Sequence, residues 1–140
     1  MENLAMAKHV FEIDGNAFET LDGFFDQIAS NLLRNAEWGR NLDAFNDVLR
    51  GGFGTPDDGF VLRWLNSEHS RKSLGYPETI RYLEAKVRHC HPANVDLVRA
   101  DLESARRGEG QTLFDILVEI IRSHGPEAEE KDNGVELELL

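Results

Sequence analysis

A chain of 140 residues with 41% hydrophobic content suits one domain with a sizeable core. Its 26 acidic residues against 15 basic ones give a formal charge of −11, which argues against nucleic-acid and anionic-membrane partners and for a basic protein partner. The lone cysteine, Cys90, excludes an internal disulfide, and no run approaches membrane-spanning length. Residues 1–8 lack the apolar run of a signal peptide, so a cytoplasmic location is expected.

His9 to Gly15 reads as a strand, with Phe11 and Ile13 alternating against Glu12 and Asp14. Thr20 is a plausible cap for a helix whose apolar stripe is Leu21, Phe24, Phe25, Ile28, Leu32 and Leu33, fading by Asn35. After a loop containing Trp38 and Gly39, Asn41 can cap a second helix. Leu42, Phe45, Val48 and Leu49 form its apolar face, and Asp43, Asn46, Asp47 and Arg50 the opposite stripe. Gly51, Gly52 and Gly54 end that helix in a loop with Phe53.

Phe60 to Leu65 is a nearly continuous apolar run, read as a strand covered on both faces. Residues 66–73 are polar and fit a short helix or a loop. Two helices flank Pro92, with stripes of Ile80, Leu83, Val87 and Cys90 and of Val95, Val98, Leu102 and Ala105. Asn94 is the expected cap of the second, Gly108 and Gly110 close it, and Glu84 and Arg88 are spaced as an i,i+4 pair. A mostly buried helix spans residues 111–124. An acidic, mobile loop over about 127–133 then leads to a last strand with Val135, Leu137 and Leu139. Strands separated by helices imply parallel pairing. The expectation is a small α/β domain, three parallel strands packed with about five helices, covering residues 1–140.

The stretch Trp38-Gly39-Arg40-Asn41-Leu42-Asp43-Ala44-Phe45-Asn46-Asp47 resembles the aromatic-Gly-x-Asn-Leu-Asp-Ala-x-x-Asp motif of the barstar family, intracellular inhibitors of barnase-type ribonucleases. The Val61-Leu62-Arg63-Trp64 strand follows at a fitting distance. The resemblance covers roughly residues 10–140, except for a segment at about 74–108 that is longer than in the founding inhibitor. It implies a barstar-like fold, binding roles for Trp38, Gly39, Asn41, Asp43 and Asp47, and a deep acidic contact at Asp47. Asn46 and Gly51 belong to the same expected surface. Glu37 and Asn46 stand where the founding inhibitor has aromatic residues, and Glu119 is nearest to a further acidic contact of the family. The implied partner is a basic extracellular-type or toxin ribonuclease, bound by a protein that is otherwise a monomer. The alternative is a non-inhibitory module of the same fold that binds a different basic protein.

Physically, a ribonuclease site gathers Arg, Lys and His to hold phosphate, and rigid carboxylates can imitate that phosphate. Asp43 and Asp47, four residues apart, project from one helix face. Plainer roles stand beside this one. Asp43 suits a helix N-terminus, Asp47 a surface pair with Arg50, Asn41 a cap, Gly39 and Gly51 turns, and Trp38 partial burial. His89, Cys90 and His91 are consecutive on a helix and point apart, so no metal site is expected. No catalytic residue and no cofactor motif stands out, and the chain reads as a non-enzyme.

Overall fold

A computed structural model describes residues 8–33, 37–51, 55–56, 59–125 and 134–140. Gly52, Phe53 and the acidic 127–133 segment lie outside them. The elements are β1 (His9–Asp14), α1 (Leu21–Asn31), α2 (Leu42–Arg50), β2 (Phe60–Leu65), α3 (Ser67–Ser73), α4 (Tyr76–His89), α5 (Val95–Arg106), α6 (Leu113–Arg122) and β3 (Val135–Leu139), with short 3-10 turns at Gly15–Ala17 and Pro92–Asn94. The fold is thus α/β with three strands and six helices, one more than expected because residues 67–73 resolve as a helix.

The sheet is fully parallel in the order β1-β2-β3. Pairing brings Phe11 beside Leu62, Ile13 beside Trp64, and Leu62 beside Leu137. These alternate residues enter the main core with Phe24, Phe25 and Ile28 of α1, Phe45, Val48 and Leu49 of α2, and Phe114, Leu117 and Ile121 of α6. Trp64 lies fully buried at the centre, its ring 5.2 Å from Phe24 and 5.2 Å from Phe114, its Nε1–H donating to Ser70 Oγ at 3.0 Å.

The expectation that β2 is covered on both faces is corrected. Phe60, Leu62 and Trp64 are buried, but Val61, Arg63 and Leu65 are only half-buried on the other face. Neighbouring strands supply that partial shelter. Arg63 donates to Glu138 of β3 at 2.7 Å and to Glu12 of β1 at 3.2 Å, so a charge ladder crosses all three strands on the face expected to be covered. The two carboxylates raise the guanidinium pKa further above its ordinary value. An apolar run broken by one arginine therefore marks a central strand with one open face.

Other boundaries shift for local reasons. α1 ends at Asn31, short of Asn35, although Leu32 and Leu33 beyond it remain buried. α6 begins after Thr112, whose hydroxyl caps Asp115 N–H while the Asp115 carboxylate returns to Thr112 N–H. Asn94 makes no side-chain cap. His91 caps the preceding 3-10 turn instead, its Nδ1 accepting from Ala93 N–H at 3.0 Å.

α4 and α5 form a hairpin with a small core of its own, Leu83, Val98, Leu102 and Ala105, flanked by Ile80, Val87 and Cys90. Glu84 pairs with Arg106 across this hairpin at 3.1 Å, where the spacing had suggested Arg88. The hairpin is tied to the sheet body by polar bonds. Buried Glu78 accepts from Leu21 N–H at the start of α1 (2.9 Å) and is gripped by Arg81, while Thr79 Oγ1 accepts from Leu113 N–H at the start of α6 (2.8 Å). Tyr82 packs against both cores.

Asp14 closes the end of β1 by accepting from Asn66 Nδ2 and Asn16 N–H, each at 2.9 Å. These bonds, the Asn66 one first, hold its carboxyl below the usual carboxylate range. A depressed folded-state pKa adds stability above the unfolded value that is lost as pH falls through the folded one. Thermal melts of wild type and Asp14→Ala should therefore differ most near neutrality and converge in acid below about pH 4. A difference that persists unchanged well below about pH 4 would show that the charge on Asp14 does not contribute.

Candidate binding face

Two neighbouring residues of α1 position the whole face. Phe24 meets Phe45 of α2 edge-on at 5.2 Å, and Phe25 meets Trp38 edge-on at 5.3 Å. The first contact fixes the helix and the second fixes the loop before it. Trp38 is half-buried, and its indole N–H has no acceptor among the described residues.

At the junction, Asn41 Oδ1 accepts from Ala44 N–H at 2.7 Å, starting α2 as the sequence predicts. Gly39 is required by space. A Cβ there would lie 2.9 Å from the Ala44 Cβ, so a side chain would lift the loop off the first turn of α2. Gly51 ends the helix at φ 99°, a conformation that favours glycine.

Around α2, Phe45, Val48 and Leu49 are buried and Leu42 is half-buried, while Asp43, Asp47 and Arg50 are exposed. The two carboxylates thus share the outward stripe of a helix whose inner side is fixed. Asp47 is not alone there. Arg50 Nη1 lies 3.2 Å from its Oδ1, with both side chains at least half exposed. Such a pair contributes only ~0–1 kcal/mol, so a dense cationic pocket can displace it.

Asn46 departs from this stripe. It is half-buried and its Oδ1 is hydrogen-bonded to Nε2 of buried His124, just beyond α6. It joins α2 to α6. Glu119 is exposed on α6 and accepts from Gln111 Nε2 at 3.2 Å. Sequence reasoning missed Arg40 and His124, whose partners Asp26 and Asn46 lie 14 and 78 residues away. A period or a motif gives no sign of such contacts.

Loop, cap and acidic helix thus follow one another over residues 37–50, with Asp43 and Asp47 outward. A family model described as Barstar (barnase inhibitor) matches residues 8–91. The chain belongs to the barstar family. The match holds β1, the motif, β2 and all of α4, and stops before α5, α6 and β3, so the second half of the hairpin lies beyond the stretch that defines membership. No curated protein and no solved structure matches this barstar-family chain. Among the described residues, no helix is long and apolar enough to cross a membrane, and no group of three or more His, Cys, Asp or Glu is placed to hold a metal ion.

Replacing Asn41 by Ala should lower stability by about 0.5–2 kcal/mol, the usual loss for a helix cap, as read from chemical denaturation. An unchanged midpoint would mean that the loop, and not the cap, starts α2.

Proposed function

We propose that this barstar-family chain is a ribonuclease inhibitor that occludes the active site of a basic extracellular-type or toxin ribonuclease. The observation that carries the reading is the exposed Asp43–Asp47 pair on a helix held rigid from behind. The family supplies the class of partner, and the net charge of −11 favours encounter with a cationic surface. In this reading the hairpin and the sheet body are one domain, the unbound protein is a cytoplasmic monomer, and it performs no chemistry.

Mechanistically, Asp47 and Asp43 enter the pocket where the enzyme holds RNA phosphate. Trp38 packs at the rim, and Gly39, Asn41 and Gly51 let the partner's backbone come close. Ordering cost is low because Phe24 and Phe25 have already placed the helix and the loop. A second reading, a non-inhibitory module that binds another basic protein, is favoured by one feature. Asn46, which stands where the founding inhibitor offers an aromatic ring, is turned toward His124.

Surface kinetics against a purified barnase-type ribonuclease test the proposal, with Asp47→Ala set against Asp96→Ala, an exposed residue of α5. Truncating one member of a buried charge pair costs about 2–5 kcal/mol, a generic range to which complexes of this same family have contributed, and it acts mainly on dissociation. Asp47→Ala should show that loss and Asp96→Ala only a small change in on-rate. Equal weakening by both would mean diffuse attraction to an acidic surface. In the same assay Arg50→Ala should tighten binding by up to ~1 kcal/mol, because it removes the cation that competes for Asp47. Weaker binding would place Arg50 among the partner contacts.

A further inference from the structure

We propose that Arg40 is a positioning residue that latches the 37–41 loop to α1, so that Trp38, Gly39 and Asn41 are already in place when the partner arrives. This deepens the inhibitor reading and rests on it for the partner. The motif leaves the Arg40 position open, and the binding roles above do not use it.

Arg40 sits at φ 52°, one of two non-glycine residues with positive φ among those described. A residue with a Cβ holds that conformation only where its surroundings enforce it. Two bonds tie down the side chain that this backbone presents to α1. Arg40 Nη2 lies 2.7 Å from Asp26 Oδ1 and donates to the Asp22 carbonyl at 3.4 Å. Asp22, Phe25 and Asp26 are spaced i, i+3 and i+4 in α1, which places them along one face. The loop is therefore fastened to that face twice, by Trp38 against Phe25 and by Arg40 against the aspartates, with Gly39 between.

Charge points the same way. A cation three residues before Asp43 would oppose approach to a cationic enzyme site, and pairing with Asp26 offsets it within the chain. The pair is exposed, 39% for Arg40 and 69% for Asp26, so its direct contribution to folding is small. Its effect is to restrict the loop, which lowers the ordering cost of binding.

The test uses Arg40→Ala, Asp26→Ala and the double variant of the full chain, with two readouts. In the unbound protein, nitrogen-15 relaxation should show the backbone of Gly39, Arg40 and Asn41 more mobile in each single variant, the population of the latched loop falling about two- to five-fold, the size of an exposed ion pair. Dissociation from a purified barnase-type ribonuclease should accelerate by a similar factor, the double variant should be no faster than either single one, and the melting temperature should not move. An Asp26→Ala variant with wild-type loop mobility would overturn the latch, as would effects that multiply in the double variant. If loop mobility responds as expected while wild type binds no ribonuclease, the latch stands and the partner assignment falls.

Discussion

Everything on the acidic face is arranged around one buried indole. Trp64 fills the centre of the middle strand and touches the rings of Phe18, Phe24 and Phe114, which come from the 3-10 turn region, α1 and α6. Its one polar atom is satisfied by Ser70 of α3. Because Phe24 also meets Phe45, the position of α2 follows from that of Trp64 through a single intervening ring. Close-packed interiors transmit such constraints, since a ring that shifts must move its neighbours. The carboxylates on α2 are thus fixed at the end of an aromatic relay that starts inside the sheet.

The surface chemistry follows from that rigidity. An isolated acidic helix attracts any cation weakly, whereas one whose stripe is held at a fixed angle discriminates by shape as well as by charge. Intrachain arginines occupy the face in the unbound state, Arg50 on Asp47 and Arg40 on Asp26. Neither pair is buried, so Arg40 ties the loop and Arg50 covers Asp47 without locking either carboxylate away. The α4–α5 hairpin extends this fold with its own small core, and it is keyed into the body by Glu78 and Thr79 at the starts of two helices.

Much of this was legible in the residues. The period-two pattern of Phe11 and Ile13, the helical stripes and the Thr20 and Asn41 caps encode local geometry directly, and they located β1, α1 and α2. Helical spacing located the outward aspartates. What failed did so for tertiary reasons at β2 and Asn46 and for a local one at Asn94. The open face of β2 was hidden because Val61 and Leu65 are apolar yet only half-buried, and only Arg63 hinted at it. Asn94 looked like a cap, but Pro92 sets a 3-10 turn that His91 caps first. Asn46 read as a surface residue until His124, distant in sequence, was seen beside it.

The central claim is that the α2 carboxylates occupy the pocket where a ribonuclease holds phosphate. Competition with a mononucleotide bound in that pocket tests it most directly. A purified barnase-type ribonuclease is saturated with a non-hydrolysable nucleotide and titrated with the chain. The account predicts mutual exclusion, with apparent affinity falling in proportion to nucleotide occupancy and RNA cleavage abolished at one chain per enzyme. A ternary complex with nucleotide still bound, or cleavage that persists at saturation, would contradict it.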